Sequence, residues 1–334
     1  MTREHGGPDA AGVARWDFST NGNGCGPCPM ALAAVQRADP CRYPDPAYTQ
    51  LCAALAAFHG VAPSRIVPAA SASEFIVRIT SAVARAGGRQ AWRPPQAYGD
   101  YAQAARACGL QAADSPWQAD LLWLCEPSSP LGASEPVSLP PGDLAAAGQP
   151  VVVLDRAYEP LRLAGTCTLA EPALDGLWQL WSPNKALGLT GIRGAYAIAP
   201  MHPPAILATV AALAPSWPLG AHAVALLQAW AQPDTQQWLV QCREQLREWK
   251  ATQTAMLHAL GWTCLPGDAS FLCARPPAPQ DAAALGARGL KLRDAASLGL
   301  PGHWRLNVMP PEAQEALRAA LESTVAASAP RGLG

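Results

Sequence analysis

The 24 basic residues of this 334-residue chain include only three lysines: Lys185, Lys250 and Lys291. With most basic roles given to arginine, a lysine that persists is a candidate for amine chemistry. Lys185 lies in a turn-like, Gly-rich segment, Trp181-Ser-Pro-Asn-Lys-Ala-Leu-Gly-Leu-Thr-Gly-Ile-Arg-Gly-Ala-Tyr196, after an apolar run. A lysine with few neutralising neighbours can shed its proton and attack an aldehyde, forming a Schiff base. Arg193, later in the same segment, can hold a phosphate through a fork of hydrogen bonds. Upstream, Val151-Val-Val-Leu-Asp155 ends in a carboxylate. Ligands of open α/β sheets bind at the carboxyl ends of the strands, so Asp155 is placed to face one. It could pair there with a protonated pyridine nitrogen, and Tyr158 could hydrogen bond to a phenolate oxygen of the same ring. Aldehyde, phosphate and pyridine are the handles of one cofactor, pyridoxal phosphate.

These residues need elements to carry them. The spacing of Leu51, Leu55 and Phe58 predicts a helix over 46–59. Beyond it the pattern alternates: a strand at 65–67, a helix at 74–86, a strand at 90–92 and a helix at 98–108. Apolar strand runs follow at 121–125, 151–154, 177–181 and 195–198. Such alternation predicts an α/β domain with a large, mostly parallel sheet covered on both faces. After Pro218 the pattern changes. Helices are expected at 221–232 and 235–260, with Pro233 as a breaker between them. Paired strands at 262–264 and 271–274, a helix at 281–288, a strand at 304–308 and a closing helix at 311–327 complete a smaller α+β domain. Residues 1–30 read as an irregular arm, since Gly6-Gly7 and Asn21-Gly-Asn-Gly-Cys-Gly26 suit no regular element. The expected organisation is an arm (1–30) joining the small domain, a large domain (31–217) and a small C-terminal domain (218–334).

Composition narrows the class. Hydrophobic residues make up 50% of the chain and charged residues 15%, so a sizeable core is available. A net charge of -1 argues against nucleic acid or an acidic membrane surface as partner. No apolar run reaches the ~18 residues of a membrane span, and the first residues lack a signal-peptide core. The ten cysteines are therefore expected as reduced thiols in a cytoplasmic protein. Cys25-Gly-Pro-Cys28 has redox or zinc spacing, but it stands alone in the arm and is read as two incidental thiols, with no metal expected.

The residues match a known group. The chain resembles the fold-type I pyridoxal-phosphate enzymes of aminotransferase class I and II, and within them the threonine-phosphate decarboxylases of cobalamin synthesis and the histidinol-phosphate aminotransferases. His5-Gly6-Gly7 resembles the opening of the decarboxylases. Asp17-Phe-Ser-Thr-Asn-Gly-Asn-Gly-Cys-Gly26 is similar to the stretch lining the substrate site, which implies His5 and Asn23 as substrate contacts. Arg42-Tyr43-Pro44 matches a motif whose tyrosine reaches the cofactor phosphate of the other subunit. Ala70-Ser-Ala-Ser-Glu74 stands where a turn opens a helix, so Ser71, Ala72 and Ser73 are implied in phosphate binding. Tyr98 matches the aromatic residue that stacks on the pyridine ring. Asp155, Tyr158, Lys185 and Arg193 match the pyridine partner, phenolate partner, Schiff-base lysine and phosphate arginine. Arg305, in His303-Trp-Arg-Leu-Asn307, matches the arginine for the substrate carboxylate, and Arg293 a second one near the substrate phosphate.

Two positions depart from the pattern. Glu126-Pro-Ser-Ser-Pro-Leu-Gly132 replaces Asn-Pro-Asn-Asn-Pro-Thr-Gly, so Ser129 stands where an asparagine binds the ring oxygen. Asn184 stands where a Ser or Thr binds phosphate. Singly, Lys185 also reads as a loop lysine, Asp155 as a cap and Arg193 as a surface residue; their order and spacing favour the cofactor. The resemblance implies an aspartate aminotransferase-like fold, a homodimer with shared sites, and decarboxylation of L-threonine O-3-phosphate to aminopropanol phosphate. An aminotransferase acting on a small or phosphorylated amino acid is the second expectation. A protein that kept the fold and lost catalysis is the third.

Overall fold

The protein, here a computed structural model, is described at residues 5–10, 12–134, 139, 144, 148–202 and 205–328. The arm contributes β1 (Trp16–Asp17). Helices α1 (Pro29–Gln36) and α2 (Thr49–His59) lead to β2 (Ile66–Ala69), α3 (Ala72–Arg85), β3 (Gln90–Trp92), α4 (Gly99–Ala107) and β4 (Gln111–Ala112). Then come β5 (Leu121–Cys125), β6 (Val151–Asp155), α5 (Glu171–Leu174), β7 (Trp178–Trp181) and β8 (Ala195–Ile198). Helices α6 (Ile206–Ala212), α7 (Ala221–Trp230) and α8 (Pro233–Ala259) precede the C-terminal part. That part holds β9 (Thr263–Cys264), β10 (Phe271–Arg275), α9 (Ala282–Ala287), β11 (Leu290–Lys291), β12 (Arg293–Asp294), β13 (Trp304–Asn307) and α10 (Pro311–Ser328).

The large sheet has seven strands in the order β2-β8-β7-β6-β5-β3-β4. It is parallel except for β8, which runs antiparallel to both β2 and β7. Its central strands β5–β8 read as nearly continuous apolar runs because both faces are buried there. Leu121 and Trp123 of β5, Val153 of β6 and Trp178 and Leu180 of β7 pack with Phe75, Ile76 and Ile79 of α3. On the opposite face, Trp181, Tyr196 and Ile198 pack with Leu51 and Leu55 of α2 and Leu226, Leu227 and Trp230 of α7. The alternation is the two-residue period of a strand.

The smaller sheet, β12-β13-β10-β9, is antiparallel throughout. It packs on α8 and α10 through Leu257, Leu272, Leu306, Leu317 and Leu321. The arm lies on this part of the molecule: β1 pairs in parallel with β11, Trp16 opposite Leu290 and Asp17 opposite Lys291. Two boundaries differ from the expectation for the same reason. Pro29 and Pro233 both occupy the first turn of a helix, where a missing N–H costs nothing. Thus α1 begins inside the expected arm, and Pro233 opens α8 rather than breaking a helix.

Candidate active site

Parallel strands deliver their carboxyl ends to one edge of the sheet. At that edge stand Asp155 at the end of β6, the Ser182–Lys185 turn after β7, the Glu126–Gly132 turn after β5 and the start of α3 after β2. Because β8 is antiparallel, its beginning lies at the same edge and brings Arg193 and Gly194 there. The Lys185 Nζ sits 5.5 Å from the centroid of the Tyr158 ring.

Asp155 is only 5% exposed. Its Oδ2 accepts from Tyr101 Oη at 2.7 Å and its Oδ1 from the Ala157 N–H at 2.9 Å. Burial raises its pKa; the Tyr101 hydrogen bond, the charge of Lys185 and the Ala157 N–H oppose that rise. Tyr101 is stacked on Trp123, ring centroids 4.5 Å apart, and meets the Tyr98 ring edge-on. Tyr101 escaped sequence reasoning. Its three-residue spacing from Tyr98 was the available signal.

The start of α3 is closed by a capping box. Ser71 Oγ accepts from the Glu74 N–H, and Glu74 Oε2 accepts from the Ala70 N–H. The first-turn N–H groups of Ala72 and Ser73 have no intrahelical acceptor and suit an anion. Ser73 Oγ lies 3.4 Å from Tyr98 Oη, which donates to Asp100 Oδ2. Burial and the Asp100 charge hold the Tyr98 phenol well above its ordinary pKa.

The Gly-rich stretch of the arm staples the lysine loop. The Asn23 N–H donates to the Lys185 carbonyl, Asn23 Nδ2 to the Ala186 carbonyl, and the Cys28 N–H to the Leu187 carbonyl. Gly188, at φ +65°, lies so close that a Cβ there would stand 2.5 Å from the Gly26 carbonyl oxygen. Asn23 Oδ1 also accepts from the Cys25 N–H, so this side chain is spent on backbone. The sequence reading places Asn23 at the substrate; the structure shows its side chain bonded within this loop. The neighbouring Asn21 turns inward instead: its Nδ2 is 3.5 Å from Tyr158 Oη.

Arg293 and Arg305 are register partners on adjacent antiparallel strands, and both are buried. Arg305 Nη1 donates to Ser129 Oγ at 3.3 Å and Nη2 to the Ser19 carbonyl at 3.1 Å. Burial, with Arg293 nearby, lowers the Arg305 pKa. Arg293 Nη2 donates to Ser297 Oγ. The arm seats itself on Ser19: the Gly7 N–H donates to Ser19 Oγ, and a Cβ at Gly6 would stand 2.2 Å from the Ser19 carbonyl oxygen. His5 itself is exposed.

Arg193 and Asn184 flank the lysine in its own loop, and Tyr43 lies on the surface. Arg193 is exposed. Asn184 is buried and donates from Nδ2 to the Thr190 carbonyl. Tyr43 is 78% exposed and stacks on Trp217, whose Nε1 donates to the Pro44 carbonyl. The thiols of Cys25 and Cys28 are free, with Cys28 fully buried.

The family model for aminotransferase class I and II matches residues 17–322. The chain belongs to the aminotransferase class I and II family. As a member of that family it is a pyridoxal-5'-phosphate enzyme. Its relatives include proteins named histidinol-phosphate aminotransferase. That of Ruegeria pomeroyi is 27% identical over 285 residues, covering 77% of this chain and 75% of the relative. The second such protein of Rhizobium meliloti is 28% identical over 282 residues, covering 78% of each. Solved structures share the fold. Histidinol-phosphate aminotransferase of Sinorhizobium meliloti in complex with pyridoxal-5'-phosphate aligns at TM-score 0.75 and 20% identity, over 92% of this chain and 90% of that one. L-threonine-O-3-phosphate decarboxylase of Porphyromonas gingivalis aligns at TM-score 0.68 and 21% identity, over 88% and 92%.

The residues present fit the family's cofactor. A lysine amine, a buried carboxylate and open helix N–H groups share one sheet edge. Three buried polar atoms on the converging segments have no protein partner among the described residues: Asn21 Oδ1, Ser182 Oγ and Arg305 Nε. Unpartnered buried groups are costly unless a ligand or water meets them.

Proposed function

We propose that this enzyme decarboxylates a small O-phosphorylated amino acid, of which L-threonine O-3-phosphate is the model, releasing carbon dioxide and an amino-alcohol phosphate. The carrying observation is the seat of His5-Gly6-Gly7 on Ser19, whose carbonyl in turn holds Arg305. The arm is thereby tied to the cationic pair Arg293 and Arg305. On this reading Arg305 takes the substrate carboxylate and Arg293, with His5, the substrate phosphate. Ala72 and Ser73 N–H groups, Ser71, Asn184 and Arg193 surround the cofactor phosphate. Tyr98 covers the ring, and Tyr158 and Ser129 meet its phenolate oxygen.

When bound, pyridoxal phosphate supplies an aldehyde for the lysine amine and a ring that accepts the electron pair of a broken Cα bond. Asp155 keeps a proton on the ring nitrogen, which its raised pKa and buried position suit only when a cation faces it. Lys185 carries the amine and moves a proton at Cα. Arg305 orients the carboxylate, and its angle to the ring decides which Cα bond breaks. Tyr43 acts from a second copy of the chain, so the assembly is a homodimer with shared sites.

The curated relatives' names favour a second reading, amino transfer of the histidinol-phosphate type. One assay separates the two. Threonine phosphate is expected to yield carbon dioxide and amine in equal amounts without 2-oxoglutarate. Glutamate formed from 2-oxoglutarate, with no gas, reverses the order. Gly6→Ala forces the arm off Ser19 and is expected to raise KM for the phosphorylated substrate about tenfold, the scale of one lost hydrogen bond to a charged group.

A further inference from the structure

The turn after β5 carries Ser129, whose hydroxyl stands only one bond beyond Cβ. Its reach is therefore set by where the turn's backbone is held. The turn begins at Glu126, a buried carboxylate that accepts from the Thr168 N–H at 2.7 Å and Thr168 Oγ1 at 2.6 Å. Its remaining partner is Arg162, at 3.2 Å. The Arg162 guanidinium is buried and spans several groups. It donates to Glu159 Oε2 from Nε and Nη2, at 2.9 and 2.8 Å, and to Ser134 Oγ from Nη1 at 2.5 Å. Asp268 Oδ2 lies 3.7 Å from the same Nη1.

Asp268 belongs to the small domain, just before β10. It accepts from the Ser134 N–H and hydroxyl, and its own N–H donates to the Gly132 carbonyl. Lys250 ties down the same loop through the Gly267 and Ala269 carbonyls. One cation thus joins three carboxylates from three segments: Glu126 of the Ser129 turn, Glu159 beside Tyr158, and Asp268 of the small domain. Removing it leaves Glu126 buried without its cation, while Glu159 keeps Arg156 at 3.5 Å, so the Ser129 turn loses its tie to the other two segments. Beyond the junction, the Phe271 ring meets Tyr158 edge-on at 4.9 Å and lies 5.9 Å from the Arg305 guanidinium. A Cβ on Gly132 would stand 3.0 Å from that ring. A shift of the turn is therefore passed directly to the Ser129–Arg305 contact.

We propose that Arg162 is a positioning residue for this enzyme: by clamping Glu126, Ser134 and Asp268 it sets Ser129 toward the cofactor ring oxygen and Arg305 toward the substrate carboxylate. The proposal rests on the reading of Ser129 given above, and the experiment separates the two. Cofactor-loaded protein is titrated with pH and the midpoint of the change in its visible band is recorded, with melting temperature measured alongside. Ser129→Ala should move the midpoint upward, because a phenolate oxygen that loses a donor holds the neighbouring proton more tightly.

Arg162→Gln and Glu126→Gln should move it the same way, Arg162→Lys less so, and Arg162→Gln should add nothing in the Ser129→Ala background. Arg162→Gln should also raise KM for the anionic substrate about tenfold. Arg65→Gln breaks another inter-segment ion pair, to Asp175 at 2.8 Å, and should lower the melting temperature while leaving the midpoint in place. An Arg162→Gln or Arg162→Lys protein that melts earlier with the parent midpoint overturns the positioning role while Ser129 stands. If Ser129→Ala leaves the midpoint unmoved, the Ser129 reading fails and the positioning role falls with it.

Discussion

At the scale of single residues the proposed chemistry turns on one amine and one acid. Lys185→Ala should fold and retain cofactor without a covalent bond, lose at least ~10³-fold in activity, and gain no mass on borohydride treatment; mass spectrometry and turnover check this. Asp155 makes a less obvious prediction. Burial raises its pKa. A carboxyl raised in the folded state contributes stability below its unfolded pKa, and that contribution is lost as pH climbs through the folded value. Cofactor-free Asp155→Asn should therefore melt at or above the parent at pH 8, the gain fading in acid, while activity falls by roughly 10²–10³. Scanning calorimetry of both apo proteins tests it; a lower melting point at pH 8 contradicts it. Lys185 and Asp155 were legible because strand ends and a Gly-rich turn mark them in one dimension. The choice between Asn21 and Asn23 was not. Irregular backbone has no period, so nothing in Asn-Gly-Asn says which amide faces Tyr158 and which staples the lysine loop.

At the scale of elements, buried polar junctions fix how the layers meet. His59 ends α2 with its Nε2 2.7 Å from the Tyr196 hydroxyl of β8, which accepts from Trp230 Nε1 of α7. Desolvation first, and the Arg156 charge second, depress His59 from 6.5 to about 4. The native state then binds fewer protons than the unfolded chain between those values. The neutral ring's contribution is present above pH 6.5 and is lost as pH falls through about 4, a difference of about 3 kcal/mol. Denaturant melts across that window should show this slope. His59→Gln keeps a hydrogen-bond partner but takes up no proton, so it should flatten the slope. The helix over 49–59 could be read from apolar spacing, but the environment of its last residue could not. It is made by Tyr196 and Trp230, which lie far along the chain.

At the scale of the whole molecule, the proposed homodimer makes a prediction about Tyr43, exposed and stacked on Trp217. If each site takes Lys185 from one chain and Tyr43 from the other, a mixture of Lys185→Ala and Tyr43→Ala proteins should regain activity after subunit exchange. Hybrids are half of a random mixture and hold one intact site each, so recovery should approach about a quarter of the parent value. Continued inactivity after demonstrated exchange would show that the sites are not shared.

The amino-acid order alone determined the class of fold and the chemistry on offer. Apolar runs of strand length, helical spacing, turn residues and a lone loop lysine are local properties, and local physics writes them into neighbouring positions. Only the tertiary structure decided which groups meet. The antiparallel course of β8 brings the Arg193 end of that strand to the site edge. The pairing of β12 with β13 sets Arg293 beside Arg305. Arg162 finds Glu126 and Asp268 across two loops. These encounters depend on chain reversal and on the cost of burying unpaired charge, and neither is encoded in the spacing of the residues concerned.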